Sequence, residues 1–202
     1  MYQGPARRHL LAPRFLMRPL LNGGTLGGRE IHREPGMLTR DEDALMFREN
    51  LGVVPVDRML GHSPADTFAL KQTYSEARST MRALGVVQRI EEAWFGGGVG
   101  GAAAVFLFRF IDLDGNELYG WLICGDIPWF FTLVSDGDFS KAILKRYVAL
   151  ARQWNLNGGA EPDGCFFGPY HPELAEDLTR RLTFIEERIV PSMPLPRDHA
   201  IA

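Results

Sequence analysis

Two runs of β-forming residues, AAVFLFRFIDL over 103–113 and ELYGWLIC over 117–124, are separated only by Asp114, Gly115 and Asn116. A tight turn between antiparallel strands needs a residue that tolerates positive φ, and an Asp-Gly step supplies one without steric cost. The pattern therefore predicts a hairpin of 103–113 with 117–124. A third run, VVQRIEEAWF over 86–95, precedes it, and Trp129–Val134 offers a further strand.

The flanking segments carry a different period. Ser63 is followed by Pro64 at the first helical position and by Asp66, a strong start signal, and Leu70, Tyr74, Ala77, Met81 and Leu84 recur at helical spacing until Gly85. Thr39 to Glu42 has capping-box character and predicts a short helix over about 40–50. Phe139, Ile143, Tyr147, Leu150 and Trp154 mark a helix over about 138–154, and Leu174, Leu178, Leu182, Ile185 and Ile189 mark one over about 172–190. Between these two lies a Gly-, Pro-, Asn- and Asp-rich loop. The order predicts an α+β fold, an antiparallel sheet of three to four strands with helices packed mainly on one face.

With 46% hydrophobic residues over 202 positions the chain can bury a sizeable core. Its charge is uneven. Residues 1–40 hold seven Arg against two Glu, while the remainder holds 15 basic and 23 acidic side chains. The organisation expected is a basic, poorly ordered leader over 1–38, one α+β domain over 39–191 and a tail over 192–202. The acid surplus of the domain argues against a nucleic-acid surface there, leaving only the basic 1–40 arm for such contact, and suggests a protein partner with a basic face. Two cysteines make no disulfide framework, and no apolar run approaches 20 residues, so a cytoplasmic location and no membrane span are expected.

Few motifs carry chemistry. Gly96, Gly98 and Gly101 match G-x-G-x-x-G, but the following AAVFLF run is strand rather than helix, so a flexible loop or mobile lid between strands is expected instead of a phosphate cradle. Asp112, Asp114 and Asn116 belong to the hairpin turn rather than a calcium loop, and no His or Cys spacing suggests a metal, so neither metal nor cofactor is expected. His62 falls beside the Ser63 cap, a capping or surface position. Cys165 and His171 share a loop and form the one conceivable nucleophile–base couple. Asp126, in GWLICGDIPWFF, has the grammar of a strand exit before Pro128, with Arg109 or Arg146 as candidate partners.

The stretch from Gly120-Trp121 through Gly125-Asp126 to Pro128, followed by a helix ending near Trp154, resembles small bacterial proteins of unknown function. Those have a Gly-Trp-x-x-x-Gly-Asp-x-Pro strand before such a helix. HPELAEDLTRRLTFIEERIVP resembles their final helix, so the likeness spans about 118–191. It implies the α+β fold and supplies no activity or catalytic residue. Trp129-Phe130-Phe131 departs from it, being apolar where polar residues are the pattern.

Two functions follow as expectations. One is a non-enzymatic, immunity-like, inhibitor or adaptor domain with an acidic surface, binding another protein through Trp129, Phe130, Phe131 and Asp126. The alternative is a small-molecule-binding protein or hydrolase whose pocket lies between the sheet and the 156–171 loop, with Asp126, Cys165 and His171 as its polar groups. The competing reading of Trp129–Phe131 is a core strand.

Overall fold

The computed structural model describes residues 51–135, 138–160 and 165–194, all within one compact unit that begins at Leu38. The helix expected over 40–50 and the 1–38 leader lie outside the described residues.

Six strands form one antiparallel sheet in which every neighbour in space is a neighbour in sequence. They are β1 (Val54–Pro55), β2 (Val87–Val99), β3 (Ala103–Asp112), β4 (Glu117–Gly125), β5 (Ile127–Leu133) and β6 (Phe166–Phe167). The predicted hairpin is β3–β4, paired from Ala104 opposite Cys124 to Ile111 opposite Glu117. Its turn is closed by Asp112, whose carboxylate accepts from the Asp114 and Asn116 amides and from the Asn116 side chain. These hydrogen bonds, the Asn116 side chain's first, hold Asp112 below the ordinary carboxylate range. The calcium-like residues thus serve the turn, and Gly115 sits at φ 85° as the step requires.

The expected strand count is corrected from three or four to six. The two additions, β1 and β6, are two-residue edge strands, β1 pairing with Trp94 and Phe95 and β6 with Phe130 and Phe131. Such short edges, and the register shifts that interrupt β2 between Val87 and Gly97, leave little regular edge for another chain to pair with.

Helix placement is also corrected. Helices cover both faces, not mainly one. Helix α1 (Pro64–Ala83) opens on Ser63, whose hydroxyl accepts from the Asp66 amide, and it buries Leu70, Thr73, Ala77 and Met81. It packs on the face formed by Phe95, Phe106, Phe108, Phe110, Leu122 and Phe131. The opposite face carries Trp94, Val105, Leu107, Trp121, Ile123 and Phe130. It is covered by α2 (Ser140–Leu156) and by a last helical stretch made of α3 (Ala175–Phe184), a wider π turn (Ile185–Ile189) and α4 (Val190–Ser192). The Val190 amide reaches the Ile185 carbonyl across the widened turn, immediately before Pro191, which has no amide to donate.

The glycine run is a further correction. Gly96, Gly97 and Gly98 lie within β2, and only Gly100 to Ala102 turn the chain into β3. A Cβ on Gly96 would fall 2.6 Å from that of Ser140, and one on Gly100 would fall 2.6 Å from that of Ala69. These residues let α1 and α2 approach the sheet closely, one from each side. Asp66 fixes the approach by accepting from the Gly100 amide at 2.7 Å and the His62 amide at 2.8 Å. The core also continues past the expected domain end at 191, since Met193 is buried and a Cβ on Gly97 would come within 3.0 Å of its methyl carbon.

Candidate functional site

Strand period 2 separates the three aromatic residues singled out above. Phe130 is fully buried against Tyr147 and Phe167 on the α2 side, with ring centroids 5.7 and 5.1 Å away. Phe131 is buried on the α1 side against Phe110 and Phe166. Both belong to the core, and the expectation of a continuous Trp129–Phe131 interface is corrected. Trp129 is half-buried, and Gly168 makes room for its indole. The Gly168 amide donates to the Trp129 carbonyl at 2.8 Å, which ties the segment after β6 to this strand.

Asp126 occupies the one-residue step between β4 and β5. Its amide donates to the Gly101 carbonyl at 2.7 Å, joining this turn to the β2–β3 turn. Its carboxylate is 74% exposed and pairs with Arg181 of α3, rather than with Arg109 or Arg146. Arg109 is committed to Glu92 and Glu117 at 2.6 and 3.1 Å, and Arg146 approaches the Cys165 sulfur at 3.9 Å. Arg181 also donates to the Asp126 carbonyl, and its Nε reaches Asp177 one turn earlier at 2.5 Å. Burial pulls the guanidinium's pKa down, but Asp126 and Asp177 together outweigh it and hold the charge.

Two clefts adjoin this ion pair, and Asp126 and Arg181 line both. The larger, ≈ 430 Å³, is bounded by Gly101, Ala102, Arg180, Phe184 and Ile185. The other, ≈ 300 Å³, has aromatic walls from Trp129, Trp154 and Tyr170, with His171, Leu174 and Asp177 at its rim. Tyr147 supports its floor by donating to the Pro128 carbonyl at 3.1 Å. Arg181 was not foreseen from the sequence. The Asp177–Arg181 spacing on a helix was visible there, but Asp126 lies 55 residues away in the chain.

The three polar groups of the pocket alternative are not brought together. Asp126 and His171 share the aromatic cleft. His171 is exposed and its Nδ1 lies 3.3 Å from Glu173. Cys165 is buried in the α2-side core, and no described hydrogen bond or ion pair links it to His171. His62, beside the α1 cap, is exposed, and it is Ser63 that caps the helix.

Cys124 is shut away on the α1 side, 3.8 Å from the Thr73 carbonyl. Burial, with Glu76 adding to it, pushes its thiol up to about 12. An unfolded thiol ionises near about 8.5, so the stability this group contributes is complete below that value and is lost as pH rises towards 12. Tyr147, raised by its own burial, adds to the loss above its ordinary value. Unfolding free energy measured by urea denaturation at pH of about 8 and about 11 is therefore expected to fall. The fall should be smaller in Cys124→Ala, and equal falls in both proteins would contradict the burial argument.

Among the described residues, no group of three or more His, Cys, Asp or Glu side chains is placed to hold a metal ion, and no helix is long and apolar enough to cross a membrane. No protein-family model matches this chain, and neither does a curated protein or a solved structure.

Proposed function

We propose that this chain is a non-enzymatic binding domain of the inhibitor, immunity or adaptor type, acting in the cytoplasm, and that it meets its protein partner at the double cleft around Asp126 and Arg181. The observation that carries this reading is the composition of the cleft. A half-buried Trp129 and an exposed Phe184 flank an accessible ion pair, which is the anatomy of an apolar anchor site with a charged rim. Both thiols are buried and His171 stands apart from them, so the groups that nucleophilic chemistry would need do not converge. The resemblance to small bacterial proteins over 118–191 is part of the same proposal and adds no activity to it.

The partner's charge is less constrained than the whole-chain balance suggests. Asp41, Glu42, Asp43, Glu49, Asp136, Glu161, Asp163 and Asp198 all fall outside the described residues, and the described ones carry acid and base in near balance. A second reading, binding of a small molecule in the aromatic cleft, is favoured by a volume of ≈ 300 Å³, at the lower end of ligand-sized pockets.

The test is capture of a partner from an extract of the source cells by the full chain, compared with Trp129→Ala, Phe184→Asp and a control, Leu113→Asp, at the exposed β3–β4 turn. The expected result is a stoichiometric partner retained by wild type and control but lost by both cleft variants, with melting temperatures preserved. Retention by the cleft variants would sink the reading.

A further inference from the structure

We infer that the cleft takes a carboxylate carried on an apolar residue, and specifically the C-terminal residue of a partner polypeptide. This rests on the binding reading above and adds the chemistry of what is bound.

The inference starts from the inventory of unused hydrogen-bonding groups. An arginine has five N–H donors in a planar fork. In Arg181, Nε is committed to Asp177 and Nη1 to the carbonyl and carboxylate of Asp126, while Nη2 has no described partner. The acceptors nearby are more fully used. Asp177 receives Arg181 on one oxygen and Arg180 on the other, at 2.5 and 3.3 Å. Arg180 itself is largely exposed at the rim of the larger cleft. The surplus is therefore of donors, and what complements it is an acceptor of negative charge.

The position of Arg181 adds the second element. It lines both clefts, with Trp129, Trp154 and Tyr170 walling one and Phe184 flanking the other. A group bound at Arg181 would thus have an aromatic wall on one side and an open apolar trough on the other. A C-terminal apolar residue carries both features on one Cα: its carboxylate meets the guanidinium, its side chain enters the aromatic cleft, and the preceding residues run over Phe184. Capture of a terminal carboxylate is a recurring recognition mode. Asp126 is the internal competitor. It is mostly exposed, and exposed ion pairs of this kind are weak, so an incoming carboxylate can displace or join it.

The experiment titrates the full chain with N-acetyl-phenylalanine and, separately, with N-acetyl-phenylalaninamide and phenethylammonium. It follows the tryptophan indole N–H signals by NMR, with the Trp129 signal assigned through Trp129→Phe. The expected result is saturable perturbation of the Trp129 signal by the free acid alone. Asp126→Asn, which removes the competing charge, is expected to tighten binding of the acid several-fold. Arg181→Lys, which keeps the charge but not the fork, is expected to weaken it about tenfold. Equal binding of the amide, preference for the ammonium probe, absence of saturation by the acid, or weaker acid binding by Asp126→Asn would overturn the inference. Those outcomes leave the partner-capture test untouched. Conversely, a partner retained by Trp129→Ala and Phe184→Asp would remove the binding reading itself.

Discussion

Phe130→Ala is expected to lower the unfolding free energy by roughly 3–5 kcal/mol, the range for emptying a fully buried aromatic site. The ring has no exposed surface and sits in a cluster with Tyr147 and Phe167, which also contact each other at 6.1 Å. Its neighbours cannot close the gap easily, because Tyr147 is anchored through its hydroxyl to the Pro128 carbonyl and Phe167 stacks on Trp154 at 5.0 Å. Trp129→Ala, at a half-buried position one residue earlier, is expected to cost less than half as much. Urea denaturation of the full chain decides the matter. A change within about 0.5 kcal/mol for Phe130→Ala, the range of ordinary surface substitutions, would return Phe130 to the surface and revive the aromatic interface that its burial removes.

The contrast between these adjacent residues shows where sequence reasoning holds and where it stops. The β3–β4 hairpin was legible because local chemistry decides it: Gly115 takes the positive φ, and Asp112 closes the turn with hydrogen bonds inside a span of five residues. Helix α1 was legible for the same reason, since Ser63, Pro64 and Asp66 form a self-contained start signal. Strands β1 and β6 were not. Two residues cannot display a period, and both exist only because longer neighbours offer them an edge.

One signal was present and underused. Ala103 to Phe108 is apolar without alternation, and all six residues are buried. A strand solvated on one face alternates, whereas a continuous apolar run belongs to a strand covered on both. That run already implied helices on both sides of the sheet. The site was less legible than the fold. Asp126 could be picked out as a polar group in an apolar stretch, but its partner Arg181 comes from the far end of the chain and is placed by helix–sheet packing. Cys165 and His171 are six positions apart in sequence, yet one faces the core and the other solvent, because the segment between them enters the sheet as β6 and leaves it again.

Gly98→Ala is expected to cost about 3–5 kcal/mol, combining backbone strain with a collision. Gly98 holds φ 141°, where an L side chain is strained, and its Cβ would strike the Ala103 carbonyl oxygen and approach the Ala104 Cα to 2.6 Å. Neither atom can step aside, because Ala104 is paired to Cys124 on the far side of β3 and is buried. Gly101→Ala is the internal control. It too has positive φ, 76°, but a Cβ there meets nothing within 4 Å, so only the conformational cost of about 1–2 kcal/mol applies. Thermal and urea unfolding of the two variants should therefore rank Gly98→Ala well below Gly101→Ala. Equal, small losses would mean that the glycine run behaves as the loose inter-strand loop its composition suggests. A large gap would show that these glycines, despite their G-x-G-x-x-G spacing, are there because β2, β3 and the two covering helices approach too closely for any side chain.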